Sequence, residues 1–158
     1  MSRLDPNYYY TISLFPTNDP IQLLSIYPDP QQLSIVPGPV SREPAPTQLW
    51  KFVLIPGPMP IYIILSQELG TEMVLAINSG SGIVEMAKRH DGQDDQKWEV
   101  SLIGGDGDAP HYQLTNLDAG LGLSLETGDE GKVVPGKEGV EEITWVLKKV
   151  SEVEQLGE

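Results

Sequence analysis

The feature that most constrains this chain is the spacing of its tryptophans. Trp50, Trp98 and Trp145 are separated by 48 and 47 residues and are the only three in the 158-residue sequence. Their surroundings match: Gln48-Leu49-Trp50-Lys51-Phe52-Val53-Leu54, Gln96-Lys97-Trp98-Glu99-Val100-Ser101-Leu102 and Ile143-Thr144-Trp145-Val146-Leu147-Lys148-Lys149. Each reads as a strand in which Trp and an aliphatic or β-branched residue alternate inward. A second register lies upstream, at Leu24-Ser25-Ile26-Tyr27, Leu75-Ala76-Ile77-Asn78 and Leu123-Ser124-Leu125-Glu126. Each of these runs meets a turn signal: Pro28-Asp29-Pro30, Ser79-Gly80-Ser81-Gly82 and Thr127-Gly128-Asp129-Glu130-Gly131. A third register opens each unit at Tyr10-Thr11-Ile12, Tyr62-Ile63-Ile64 and Tyr112-Gln113-Leu114. A weaker fourth falls at 33–36, 83–86 and 132–134.

A period near 50 residues in a chain of this length means three copies of one supersecondary unit. Four short strands cannot bury an apolar face alone, whereas three such units closing about a pseudo-threefold axis can. The 16 glycines and 14 prolines supply turns, and no apolar run at helical spacing predicts a helix. The expected architecture is therefore all-β: a β-trefoil of twelve short strands in three pseudo-threefold repeats. It forms a single domain over residues 1–158, with repeats near 8–57, 58–105 and 110–150 and an acidic tail over 151–158. The three indoles, each able to bury about 200 Å², are expected to anchor one shared core instead of stacking on a ligand.

Gln48-Leu49-Trp50 and Gln96-Lys97-Trp98 resemble the Q-x-W motif of ricin B-type lectins, a β-trefoil family in which the motif closes each repeat. The stretch from Asp94 to Leu125 is similar in style to small, cysteine-free fungal members. The third copy, Ile143-Thr144-Trp145, keeps the tryptophan and loses the glutamine. The resemblance implies sugar binding at shallow surface pockets. There an acid in the second strand and an Asn or Asp before Q-x-W take sugar hydroxyls, and an aromatic ring stacks on the apolar sugar face. This sequence places Ser25, Ala76 and Ser124 at the second-strand position, Thr47, Asp95 and Glu142 before the motif, and no aromatic in the third strand.

Fungal relatives hold sugar through the second hairpin, and on that pattern the second repeat is the favoured site. It offers Asn78, Lys88, Arg89, His90, Asp94, Asp95 and Gln96. The first repeat is the runner-up, with Tyr27, Asp29 and Thr47, and the third, with Glu126 and Glu142, is expected to be silent. Each residue also has a structural explanation: Gln48 and Gln96 as backbone clamps, Asn78 as a turn former, His90 and His111 as ordinary strand-end residues, and Asp94-Asp95 as a solvated pair.

Formal net charge of −13 opposes phosphate backbones and anionic lipid, so neither nucleic acid nor membrane insertion is expected. Cysteine is absent, which excludes disulfides and thiol chemistry. The first residues lack the pattern of a signal peptide, which points to a cytoplasmic protein. No catalytic motif stands out, and Asp106-Gly107-Asp108 lacks the further ligands of a calcium loop. No cofactor is implied. The expected function is a carbohydrate-binding lectin without catalysis, recognising galactose, N-acetylgalactosamine or N-acetylglucosamine on glycans or glycoproteins. Several sites or a homodimer would add avidity. The alternative is a fungal β-trefoil protease inhibitor presenting Arg42 from the proline-rich segment Val36–Pro46, since prolines reduce the entropy lost on docking.

Overall fold

The computed structural model describes residues 4, 7–14, 22–29, 32–37, 46–78, 80–90, 92–104, 111–120, 122–125, 133–135 and 144–152. In chain order the strands are β1 (Tyr8–Leu14), β2 (Gln22–Asp29), β3 (Gln32–Pro37), β4 (Trp50–Leu54), β5 (Ile61–Ser66) and β6 (Gly70–Ile77). They continue with β7 (Val84–Lys88), β8 (Trp98–Gly104), β9 (His111–Asn116), β10 (Leu123–Leu125), β11 (Val133–Pro135) and β12 (Trp145–Glu152). Among the described residues ten strands join in one sheet, and β10 and β11 form a hairpin of their own.

Six strands close into a ring. β1 pairs with β4, β4 with β5, β5 with β8, β8 with β9, β9 with β12, and β12 returns to β1, all antiparallel. Closure leaves the barrel no unpaired edge to template aggregation. The register repeats around it. Tyr10, Tyr62 and Tyr112 lie opposite Trp50, Trp98 and Trp145 on one side, and Ser66, Asn116 and Leu14 lie opposite the same tryptophans on the other. Three hairpins, β2–β3, β6–β7 and β10–β11, project from this ring, and β3, β7 and β11 touch one another.

The alternation read from the sequence is what fills the interior. Trp50, Trp98 and Trp145 are fully buried, as are Ile12, Phe52 and Ile64, and one apolar cluster joins them to Leu33, Val84 and Val133 of the hairpins. Phe52 bridges Tyr10 and Tyr62 edge-on, with ring centroids 5.6 and 6.1 Å apart, a geometry that aligns ring edges with π faces. The indole N–H groups tie barrel to hairpin. Trp50 Nε1 donates to Leu24 O at 3.0 Å and Trp98 Nε1 to Leu75 O at 2.9 Å. The equivalent Trp145 Nε1 has no partner among the described residues.

The third hairpin also joins the barrel differently. β2 pairs with β1 at Leu23–Ser13, and β6 with β5 at Val74–Leu65 and Gly70–Ser66. The segment leading into β10 makes an isolated bridge, Gly122 to Thr115, where a Cβ would sit 3.0 Å from Leu114 O. A side chain there would have to push the Leu114 carbonyl back, so glycine suits this close approach. At the other end of the chain β12 runs two residues into the expected tail, because Glu152 and Ser151 pair with Tyr8 and Tyr9. Lys149 Nζ lies 4.4 Å over the Tyr8 ring there, a cation–π contact. The tail expected over 151–158 is therefore corrected at its start.

Replacing Trp50 or Trp98 by Phe removes an indole and strands a buried leucine carbonyl, whereas Trp145→Phe deletes a donor with no partner among the described residues. Urea unfolding should show W50F and W98F losing about 1–2 kcal/mol more stability than W145F. Equal losses would contradict the asymmetry.

Candidate functional site

Two short loops of the same design meet at the motif turn of the second repeat, one from that repeat and one from the third. In the first, Asn78 Oδ1 accepts the N–H groups of Gly80 and Ser81 at 2.8 and 3.0 Å, and Gly82 N–H returns to Asn78 O at 2.7 Å. Gly82 closes the loop at φ +75°, in the left-handed region that favours glycine. In the second, Asn116 Oδ1 accepts from the N–H groups of Asp118 and Ala119 at 3.1 and 3.0 Å, and Gly120, at φ +69°, donates to Asn116 O at 2.8 Å. Asx chemistry and a left-handed glycine four positions along thus recur at Asn78–Gly82 and Asn116–Gly120.

Gln96 shows what the motif glutamine does. It is buried, its Oε1 accepts His90 N–H at 2.9 Å and its Nε2 donates to Lys88 O at 2.8 Å. The side chain is consumed as a clamp between the 3-10 turn Asp94–Gln96 and the end of β7, so it contributes position and not ligand contact. Lys88 and His90 are exposed at that strand end, and Arg89 is half-buried, with its N–H on Glu72 O at 2.8 Å. In the third repeat His111 Nδ1 lies 3.2 Å from Thr144 Oγ1, on the barrel wall.

Asp94 and Asp95 do not form a simple solvated pair. Asp94 is exposed and bridges Lys97 Nζ at 3.2 Å. Asp95 is half-buried, its backbone carbonyl accepts from Asn116 Nδ2 at 2.8 Å, and its Oδ1 has no partner among the described residues. Burial pushes its carboxyl above the ordinary range, and the charges of Asp118, Asp94 and Glu85 push the same way, against its own backbone amide. An acceptor held out of water in this state gains most from a hydroxyl donor.

Asp95 collects neighbours that the sequence did not single out. Glu85, on β7, stands opposite Ala76 of β6, so a carboxylate occupies the strand facing the position where the resemblance implies one. Asn78 Nδ2 holds Glu85 Oε2 at 2.9 Å. Glu85 lies between the inward-facing Val84 and Met86, on the outward face that strand alternation gives it. Asp118 and Asn116 come from the loop after β9, and their signal was the Asn-x-x-x-Gly spacing shared with Asn78.

Asn78, Asp95 and Gln96 are therefore brought around one surface, with Lys88, His90 and Asp94 at its margin. Thr47 is separate: half-buried, it sits in the 3-10 turn Pro46–Gln48 that packs on β2 and β5. Tyr27 and Asp29 lie on β2, and their side chains fall outside the described residues, as do Arg42, Asp106–Asp108, Glu126 and Glu142. Among the described residues no group of three or more His, Cys, Asp or Glu could hold a metal ion, and no helix is long and apolar enough to cross a membrane.

No family model matches the chain, and no curated protein sequence does. Solved structures do match in shape. The BEL β-trefoil superimposes with a TM-score of 0.69 at 15% identity, over 94% of this chain and 97% of that one. A Polyporus squamosus lectin, bound to a human-type influenza-binding epitope, matches with a TM-score of 0.67 at 17% identity, over 92% of this chain and 50% of the lectin. An endo-β-galactosidase from Clostridium perfringens matches with a TM-score of 0.66 at 18% identity, over 91% of this chain and 33% of the enzyme. The closed six-strand ring with its hairpins is thus a β-trefoil.

Asp95→Asn removes a desolvated, repelled carboxylate. Because the folded-state pKa is raised, the wild type is at its best when Asp95 is protonated and loses stability as pH rises through that pKa. Thermal unfolding should place D95N above the wild type at pH 7, with the gap closing below about pH 4, where the carboxyl is protonated folded or unfolded. A variant less stable than wild type at pH 7 would refute the burial argument.

Proposed function

We propose that this protein is a carbohydrate-binding lectin of the ricin B-like kind, with twelve strands in three pseudo-threefold repeats, and that it binds glycans without transforming them. The site lies in the second repeat, where Asp95 is the main hydroxyl acceptor and Glu85 and Asp118 flank it. The observation that carries the reading is the state of Asp95. It occupies the position before Gln96-Lys97-Trp98, it is half-buried, and one carboxylate oxygen has no partner among the described residues.

Paired sugar hydroxyls suit carboxylate acceptors, which make charge-assisted bonds stronger than neutral ones. The concentration of acid at this surface favours neutral galactose-, N-acetylgalactosamine- or N-acetylglucosamine-type sugars over sulfated or sialylated ones. The Polyporus lectin, bound to a sialylated epitope, supports glycan binding on this fold, while the preference for neutral sugars rests on the acidic surface alone. Glycans or glycoproteins are the partners, and a cytoplasmic location completes the proposal.

A glycan array tests it. The wild type should bind a subset of neutral glycans, and Asp95→Ala should lower affinity at least about tenfold, the scale of a lost charge-assisted hydrogen bond. Asn78→Ala should weaken binding less, by releasing Glu85. A blank array with folded wild type would overturn the reading.

A further inference from the structure

The three positions paired with the tryptophans on the following strand of the ring are not alike, and the difference falls beside the proposed site. Ser66 lies opposite Trp50, Asn116 opposite Trp98 and Leu14 opposite Trp145. Ser66 Oγ caps its own turn, accepting Glu68 N–H at 3.1 Å, before Gly70 at φ +77°. Asn116 does the same with its Oδ1 and has an amide left over. That Nδ2 crosses to the preceding repeat and donates to the backbone carbonyl of Asp95 at 2.8 Å. The side chain is fully buried and bonds at both ends: Nδ2 to Asp95 O, and Oδ1 from Asp118 N–H and Ala119 N–H.

We propose that Asn116 is a positioning residue of the sugar site, a brace from the third repeat that fixes the backbone of Asp95 and sets Asp118 beside its carboxylate. The inference rests on the sugar-site reading above. A buried amide bonded at both ends allows little rotation, and the segment before the motif gains a second anchor besides Gln96. The same side chain closes the loop that carries Asp118, so one residue determines how far apart the two carboxylates stand. The recognition surface is then shared between repeats, and a second repeat cut out alone would lack Asp118 and the brace.

The charged groups around Asp95 define what the brace controls. Asp94 and Lys97 share its turn and pair with each other. Glu85 faces it from β7, with Lys88, Arg89 and His90 following on the same segment. Glu72 is the charged residue of β6, which packs on the turn, and Asp118 comes from the loop Asn116 closes. Asp118 exerts the largest charge effect on Asp95. Sugar binding that uses ionised Asp95 fades as pH falls through its raised pKa, and loosening Asp118 moves that midpoint to lower pH.

The test uses the full chain, titrated by NMR with galactose, N-acetylgalactosamine and N-acetylglucosamine in turn, from pH 4 to 8. Asn116→Ser copies the residue the protein uses opposite Trp50: it keeps a cap for the turn and is too short to bridge. It should weaken sugar binding roughly tenfold at pH 7, the scale of one lost buried hydrogen bond, and lower the pH midpoint of binding. Asp118→Asn, which leaves the brace intact, should lower the same midpoint. A loss of thermal stability in N116S with affinity and midpoint unchanged would reduce Asn116 to a structural residue and overturn the proposal alone. Wild type that binds none of the three sugars would overturn the sugar site, and the brace with it.

Discussion

The structure depends on one join: a barrel tryptophan whose ring fills the interior while its N–H reaches the hairpin of its own repeat. At Trp50 and Trp98 the bond to Leu24 O or Leu75 O links the two parts of a unit that share few ladder bonds. Indole serves both ends at once, apolar area for the core and a single donor for a carbonyl that would otherwise be buried unpaired. The first and second repeats are complete in this respect. Among the described residues the third has the ring without the bond, and its hairpin stands outside the main sheet.

The join also explains why the motif glutamine matters. Gln96 sits two residues before Trp98 and is spent on the backbone of Lys88 and His90. It fixes where β7 ends relative to where β8 begins, and so holds the turn that carries Asp94 and Asp95. Gln48 is buried at the matching place in the first repeat. The site is therefore built on scaffold residues, as binding surfaces on rigid folds are.

Much of the fold was legible because its cause is periodic. Spacing of Trp50, Trp98 and Trp145, and of the tyrosines and leucines around them, is a direct imprint of three units sharing a core, and all three indoles are buried. The site was legible only in part. Asn78, Asp95 and Gln96 stand beside the motif and could be picked out by position. Glu85 could not, since its relevance comes from the register that sets it opposite Ala76. Asn116 and Asp118 lie some 20 positions along the chain from Asp95, and nothing local says that the loop of one repeat leans on the turn of another. The start of the acidic tail is a similar case: nothing in the local sequence shows that Ser151 and Glu152 pair with Tyr9 and Tyr8.

That last pairing has a consequence for how the molecule assembles. β1 precedes β12 by more than a hundred residues, yet the ring that shelters it closes only when β12 is available. Until then its flank is covered by β2 and β4 alone. Loops of that length are entropically costly to close, and folds dominated by such distant pairings form slowly. Until β12 docks, the barrel is open along the tyrosine-bearing edge of β1, whose unpaired backbone groups are the kind another chain can pair with.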